Sequence, residues 1–98
     1  MFRINVVLTV SDSSDIETVR DLLSQAAALS RTENGCERFE VYHSESDPST
    51  FILCEWWSSE QAWKDHRNEK AFQEIYQPQV LPKVTRTPHI TGWFDGGS

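Results

Sequence analysis

The chain has 98 residues, 38% of them hydrophobic and 24% charged, with four tryptophans, which is room and apolar content for one folded domain with a modest core. Nine Lys and Arg against fifteen Asp and Glu leave a formal charge of -6, with the basic residues scattered, which argues against a nucleic-acid partner. No apolar run approaches the roughly 20 residues of a membrane span, and the N-terminal residues lack a signal-peptide pattern, so no membrane association and a cytoplasmic setting are expected.

In chain order, residues 2–10 alternate as a strand, with Ile4, Val6, Leu8 and Val10 on one face and Asn5, Val7 and Thr9 on the other. Ser14 and Glu17 have the spacing of a capping box, and Ile16, Val19, Leu22, Leu23, Ala26 and Leu29 continue at helical spacing to about Arg31. Asn34-Gly35 ends that helix. A second strand over 36–44 puts Phe39, Val41 and His43 on one face and Arg38, Glu40 and Tyr42 on the other. Ser46-Asp47-Pro48-Ser49 is turn chemistry, and the β-prone run 50–57 makes the return strand of a hairpin.

Ser58, with Gln61 three residues on, is expected to cap a short helix carrying Ala62, Trp63 and His66. Asn68 is expected to cap another, with Ala71, Phe72, Ile75 and Tyr76 inward and Pro78 near its end. A fourth strand over 84–94 contains Pro88, which suits an edge or bulged position. Residues 95–98 read as a flexible Gly-rich tail, leaving 1–94 as a single domain.

The order β-α-β-β-α-β, with the second helix broken in two, is the ferredoxin-like α+β pattern: a four-stranded antiparallel sheet with helices on one face. Strands one and three carry apolar residues on both faces, so the uncovered face is expected to meet a second copy, making a homodimer. In the hairpin register expected from the turn, Cys54 opposes Val41 and Cys36 lies roughly 15 Å further along at about 3.3 Å per residue, so the two cysteines are expected to be free thiols.

Chemistry is sparse. The four glycines build neither a dinucleotide-binding loop nor a phosphate-binding loop, and no nucleophile elbow or H-E-x-x-H helix is present. The three histidines are too scattered for a metal site, so no cofactor and no metal are expected. The stretch 51–66 holds the candidates. Glu55 is a carboxylate in an apolar strand, which reads either as a structural carboxylate tied to the helix or as a group reaching into a pocket. His66 reads either as a packing histidine beside Trp63 or as a general base. Trp57 and Phe72 are core or the walls of a flat aromatic pocket, Asn5 is a satisfied amide or a pocket hydrogen-bonder, and Tyr76 is equally ambiguous.

These positions resemble the antibiotic biosynthesis monooxygenase (ABM) family of dimeric α/β-barrel proteins over nearly the whole chain. The resemblance rests on Gly35-Cys36, Phe39 and Val41, the F-x-L-x-E-x-W run of Phe51, Leu53, Glu55 and Trp57, then Ala62, His66 and Phe72. It implies a homodimer with a cavity between sheet and helices in each subunit, and oxygenation of a small aromatic or quinol-like substrate by O₂ without a prosthetic group. On that model Trp57, Phe72 and Tyr76 bind the ring, His66 or Glu55 takes a proton, and Asn5 bonds the oxyanion. Three related branches compete. Haem-degrading proteins are similar around Arg3-Ile4-Asn5 and Trp57 but have an axial His where this chain has Ile75-Tyr76. An isomerase of a phosphorylated sugar shares Arg38-Phe39-x-Val41 and the spacing from Ala62 to His66. Other members only bind small molecules.

Overall fold

The computed structural model describes residues 1–94, so the expected tail at 95–98 lies outside the described residues. Strand β1 (Phe2–Val10) leads through a short turn at Ser13–Asp15 into helix α1 (Ile16–Ser30). The hairpin of β2 (Cys36–His43) and β3 (Thr50–Trp57) follows, then α2 (Glu60–His66), α3 (Ala71–Val80) and β4 (Val84–Thr91). All neighbouring strands are antiparallel, in the order β2-β3-β1-β4, with the helices on one face. This is the expected ferredoxin-like α+β architecture. No helix among the described residues is long and apolar enough to cross a membrane.

Alternation decides which face is buried. Ile4, Val6, Leu8 and Val10 of β1 and Phe51, Leu53, Glu55 and Trp57 of β3 turn toward the helices and are all buried. Helix α1 answers with Val19, Leu23, Ala26, Ala27 and Ser30, and it packs along α3 through Ala26, Ala71 and Ile75. Each large apolar side chain taken fully out of water contributes about 1.5–3 kcal/mol, so this single layer is the main stabilising term. Pro88 falls on the edge strand β4 opposite Val6, where its missing N–H costs no central ladder bond. Strand β4 ends at Thr91, short of the expected 94.

Four local expectations need correcting. The hairpin register is one residue off the expected one: Val41 faces Leu53, and Cys54 faces Glu40. The sheet pleat demands this, because pairing Val41 with Cys54 would set an inward residue against an outward one. Helix α1 begins behind Asp12, whose carboxylate accepts from the Ser14 N–H at 3.0 Å and the Ser14 hydroxyl at 2.8 Å, so Ser14 is a donor here and not the cap. Helix α2 is capped by Ser59, which accepts from Ala62 N–H, and not by Ser58. Asn68 caps nothing; α3 begins without a side-chain cap and is wound with wide, π-helical turns through Pro78 to Val80. Proline excludes a normal α-turn onto the Glu74 carbonyl, and the Gln79 side-chain amide donates to that oxygen instead, at 2.9 Å.

The turn between α1 and β2 depends on Gly35, at φ +84. A Cβ there would stand 2.7 Å from Ala62 Cβ and 2.9 Å from Ser58 Oγ, so backbone strain and collision with α2 coincide. Gly35→Ala is expected to destabilise the fold by roughly 1–3 kcal/mol. Chemical denaturation reads it, and an unchanged midpoint would show that the turn is not constrained as described.

Among the described residues, the outer face of the sheet carries no helix. Half-buried Val7, Ile52, Cys54 and Trp56 lie there beside Asn5, Arg3 and Glu40, so it is a mixed surface rather than the apolar one expected. The Arg3 guanidinium sits 5.1 Å from the Trp56 ring and 5.3 Å from Trp93, an aromatic clamp on a cation. Both cysteines are free.

Candidate active site

The site begins with Glu55. Strand alternation forces it inward between Leu53 and Trp57, where it is 6% exposed and lies opposite Ile4 on one side and Phe39 on the other. Its hydrogen bond comes from the indole N–H of Trp57, two residues on along the same face, at 3.0 Å. Burial pushes the Glu55 carboxyl above the usual carboxylate range, with the Trp57 bond and the charges of His66 and Arg86 only partly opposing it.

Helix α2 returns His66 over this strand. Its ring centroid lies 4.7 Å from Trp57, 6.0 Å from Phe39 and 6.2 Å from Phe72. Its Nδ1 is 2.5 Å from Oε1 of Glu33, and both side chains are almost fully enclosed. With Nδ1–H donating to the carboxylate, Nε2 is left as the basic nitrogen. Burial holds the Glu33 carboxyl above its ordinary range, and its contact with His66 works against that. The same burial, with the charges of Glu33 and Glu55, pushes the Cys36 thiol up to about 11, so it stays a protonated, unreactive thiol at neutral pH.

Between the sheet and helices α1 to α3 lies a cavity of ≈ 30 Å³, walled by Phe39, Leu53, Trp63 and Phe72, with Glu55, His66, Tyr76 and the cations Arg67 and Arg86 among its polar groups. That is room for about one or two waters, so a ring enters only as the helical wall yields. Burial raises the pKa of Tyr76, and Arg86 of β4 opposes it through its charge and a hydrogen bond to the phenol. The Ser30 hydroxyl, which also faces this cavity, has no hydrogen-bond partner among the described residues.

Of the six residues singled out from the sequence, the fold thus brings Glu55, His66, Phe72 and Tyr76 to one cavity. Trp57 does point toward the helices, but it is fully buried beneath the site and holds Glu55 rather than lining the space. Asn5 is a correction: strand parity puts it on the outer face, where it accepts from the Thr91 hydroxyl at 2.7 Å, so it cannot bond an oxyanion in the cavity of its own subunit. Glu33, Ser30, Trp63 and Arg86 were not foreseen. Arg86 had a readable signal, since it shares parity with Val84 on β4 and pairs with inward Leu8. Glu33 had none, because its partner lies 33 residues away.

Comparison with known proteins bears on this geometry. Residues 1–78 match the model of the antibiotic biosynthesis monooxygenase family. A solved antibiotic biosynthesis monooxygenase is 18% identical and superposes with a TM-score of 0.85, over 96% of this chain and 99% of that one. Rv0793 from Mycobacterium tuberculosis is 21% identical, with a TM-score of 0.84 and 100% of both chains covered. A conserved protein from Bacteroides thetaiotaomicron is 20% identical, with a TM-score of 0.84 over 92% and 94%. At these identities the structural likeness establishes the fold alone. No curated protein sequence matches.

Proposed function

The chain belongs to the antibiotic biosynthesis monooxygenase family, and from that premise we propose that it is a cofactor-independent monooxygenase of a small phenolic or quinol-like aromatic. The observation that carries this reading is the placement of a carboxylate-held histidine, the Glu33–His66 pair, against an aromatic-walled cavity with a second, desolvated carboxyl at Glu55. Once the helical wall yields, a flat ring is taken up beside Phe72 and Phe39, and Nε2 of His66 takes the phenolic proton. The resulting phenolate is electron-rich at a ring carbon that still bears hydrogen, and that carbon reacts with O₂. One oxygen atom stays on the carbon as a carbonyl, the other leaves as water, and phenol plus O₂ becomes quinone plus H₂O. Enclosure by the helices keeps bulk water from the intermediate. Oxygen uptake by purified protein with hydroxylated one-, two- and three-ring aromatics tests this: one O₂ consumed per quinone formed is expected, and uptake no faster than without protein contradicts it.

The working form we propose is a homodimer joined through the outer face of the sheet. Val7, at its centre between Thr87 and Ile52, is the position to perturb, because Val6 and Leu8 face the helices. Val7→Asp is expected to shift the mass seen by light scattering from twice 11.3 kDa toward the 11.3 kDa monomer. A wild-type protein already monomeric at micromolar concentration would refute the dimer.

A further inference from the structure

We propose that α2 is the door of the cavity: it leaves the sheet to admit a ring, and its return sets His66 back against Glu33, so that the base is assembled only over an enclosed ligand. The inference rests on reading this cavity as the aromatic site and names the wall that yields. The cavity holds ≈ 30 Å³, whereas an apolar cavity that takes up benzene measures about 150 Å³, so one wall has to move. The four strands are tied together by continuous ladders. Helix α1 is anchored by five buried residues and α3 by three, two of which, Ala71 and Ile75, pack onto α1. Helix α2 buries none.

Space also lies on both sides of α2. Toward the core is the cavity, and against the turn between α1 and β2 is a polar groove of ≈ 310 Å³ lined by Asn34, Ser58, Gln61, Asp65 and Glu69. Among the described residues, His66 is the one that lines both. The helix is thus a seven-residue partition, too short to hold its own turns without neighbours, and segments with few buried apolar contacts open at the least cost. Its first turn is pinned: Ser59 caps Ala62, the Ser58 N–H donates to the Gly35 carbonyl at 2.8 Å, and Ala62 packs against Gly35. The rest is held by contacts that part without disturbing the sheet. Trp63 stacks on Phe2 at 4.9 Å with the Arg67 guanidinium 4.5 Å from its ring, the Arg67 carbonyl accepts from the Gln73 side chain at 2.6 Å, and His66 bonds Glu33.

Rapid mixing of the purified protein with naphthol under anaerobic conditions, followed by fluorescence, tests the door without turnover. Ser59→Ala removes the cap of α2 and raises its open fraction, so association and dissociation should both speed up by roughly 3–10-fold, with their ratio, the Kd, unchanged. Ser59→Thr keeps a capping hydroxyl and should match wild type. Gln79→Ala loosens α3 instead, by removing the bond onto the Glu74 carbonyl, and should move neither rate. Faster rates in Gln79→Ala with none in Ser59→Ala would put the entrance along α3 and overturn the proposal. A weaker Kd at an unchanged association rate in Ser59→Ala would also overturn it, by making α2 a fixed wall. If a variant does not fold, hydrogen exchange of wild type decides: the α2 amides are expected to exchange at least roughly 10-fold faster than those of α1 and α3 and to slow when naphthol binds, and exchange no faster than in α1 overturns the door. Gated binding without oxygen uptake keeps this inference and removes the oxygenase, and uptake with α2 as a fixed wall does the reverse.

Discussion

His66→Gln is expected to lower the turnover number for oxygen uptake by roughly 10²–10⁴-fold, the usual contribution of a positioned general base, with little change in melting temperature. Glutamine nearly fills the imidazole's volume and its amide can still donate to Glu33, so the packing against Trp57, Phe39 and Phe72 is largely kept while the basic nitrogen is lost. Glu33→Gln should act more gently, as a positioning residue: turnover falls while KM holds, because the tautomer of His66 is no longer fixed. A large loss of stability in His66→Gln, with turnover retained per folded molecule, would instead make His66 a packing histidine.

The second large effect lies beneath the cavity. Trp57 is fully buried and is the hydrogen-bond donor of a buried carboxyl, so Trp57→Ala should cost about 3–5 kcal/mol, a large share of the 5–15 kcal/mol that holds a small domain together. Glu55→Gln should go the other way. The folded-state pKa of Glu55 is raised, so the native protein holds this proton more tightly than the unfolded chain does. Its contribution to stability is therefore complete below the ordinary carboxylate range and is lost as pH rises through the raised value. Glutamine keeps an acceptor for the Trp57 indole without the charge, so Glu55→Gln should melt higher than wild type at pH 8, with the gain vanishing near pH 4. In a domain of this size each kcal/mol is worth roughly 4–8 °C. Thermal melts across pH read this directly, and a gain that grew toward acid would show that Glu55 is ionised and paired in the folded protein.

Element order and the grouping of Glu55 with Trp57 on one face of β3 were legible in the sequence through period-two alternation, but which face meets the helices was not, because both faces of β1 and β3 carry apolar residues. The hairpin register was not, since turn chemistry bounds a loop only to within a residue and parity with the facing strand decides the rest. Capping residues slipped for a related reason: Asp12 and Ser14 both have suitable side chains, and the short turn at Ser13–Asp15 selected the earlier one. Asn5 misled because the residues alone left its face open to a pocket role, while its register partners Cys54 and His89 lie on the helix-free side. The Glu33–His66 contact depends on tertiary placement alone.

The central claim is that this cavity oxygenates a hydroxylated aromatic ring with O₂ through His66. Isotopically labelled O₂, supplied to the purified protein with a hydroxylated two-ring substrate, tests it most directly. The account predicts one labelled atom in each quinone, the other in water, and loss of protein-dependent labelling in His66→Gln. Unlabelled quinone, or labelling that His66→Gln leaves intact, would contradict it.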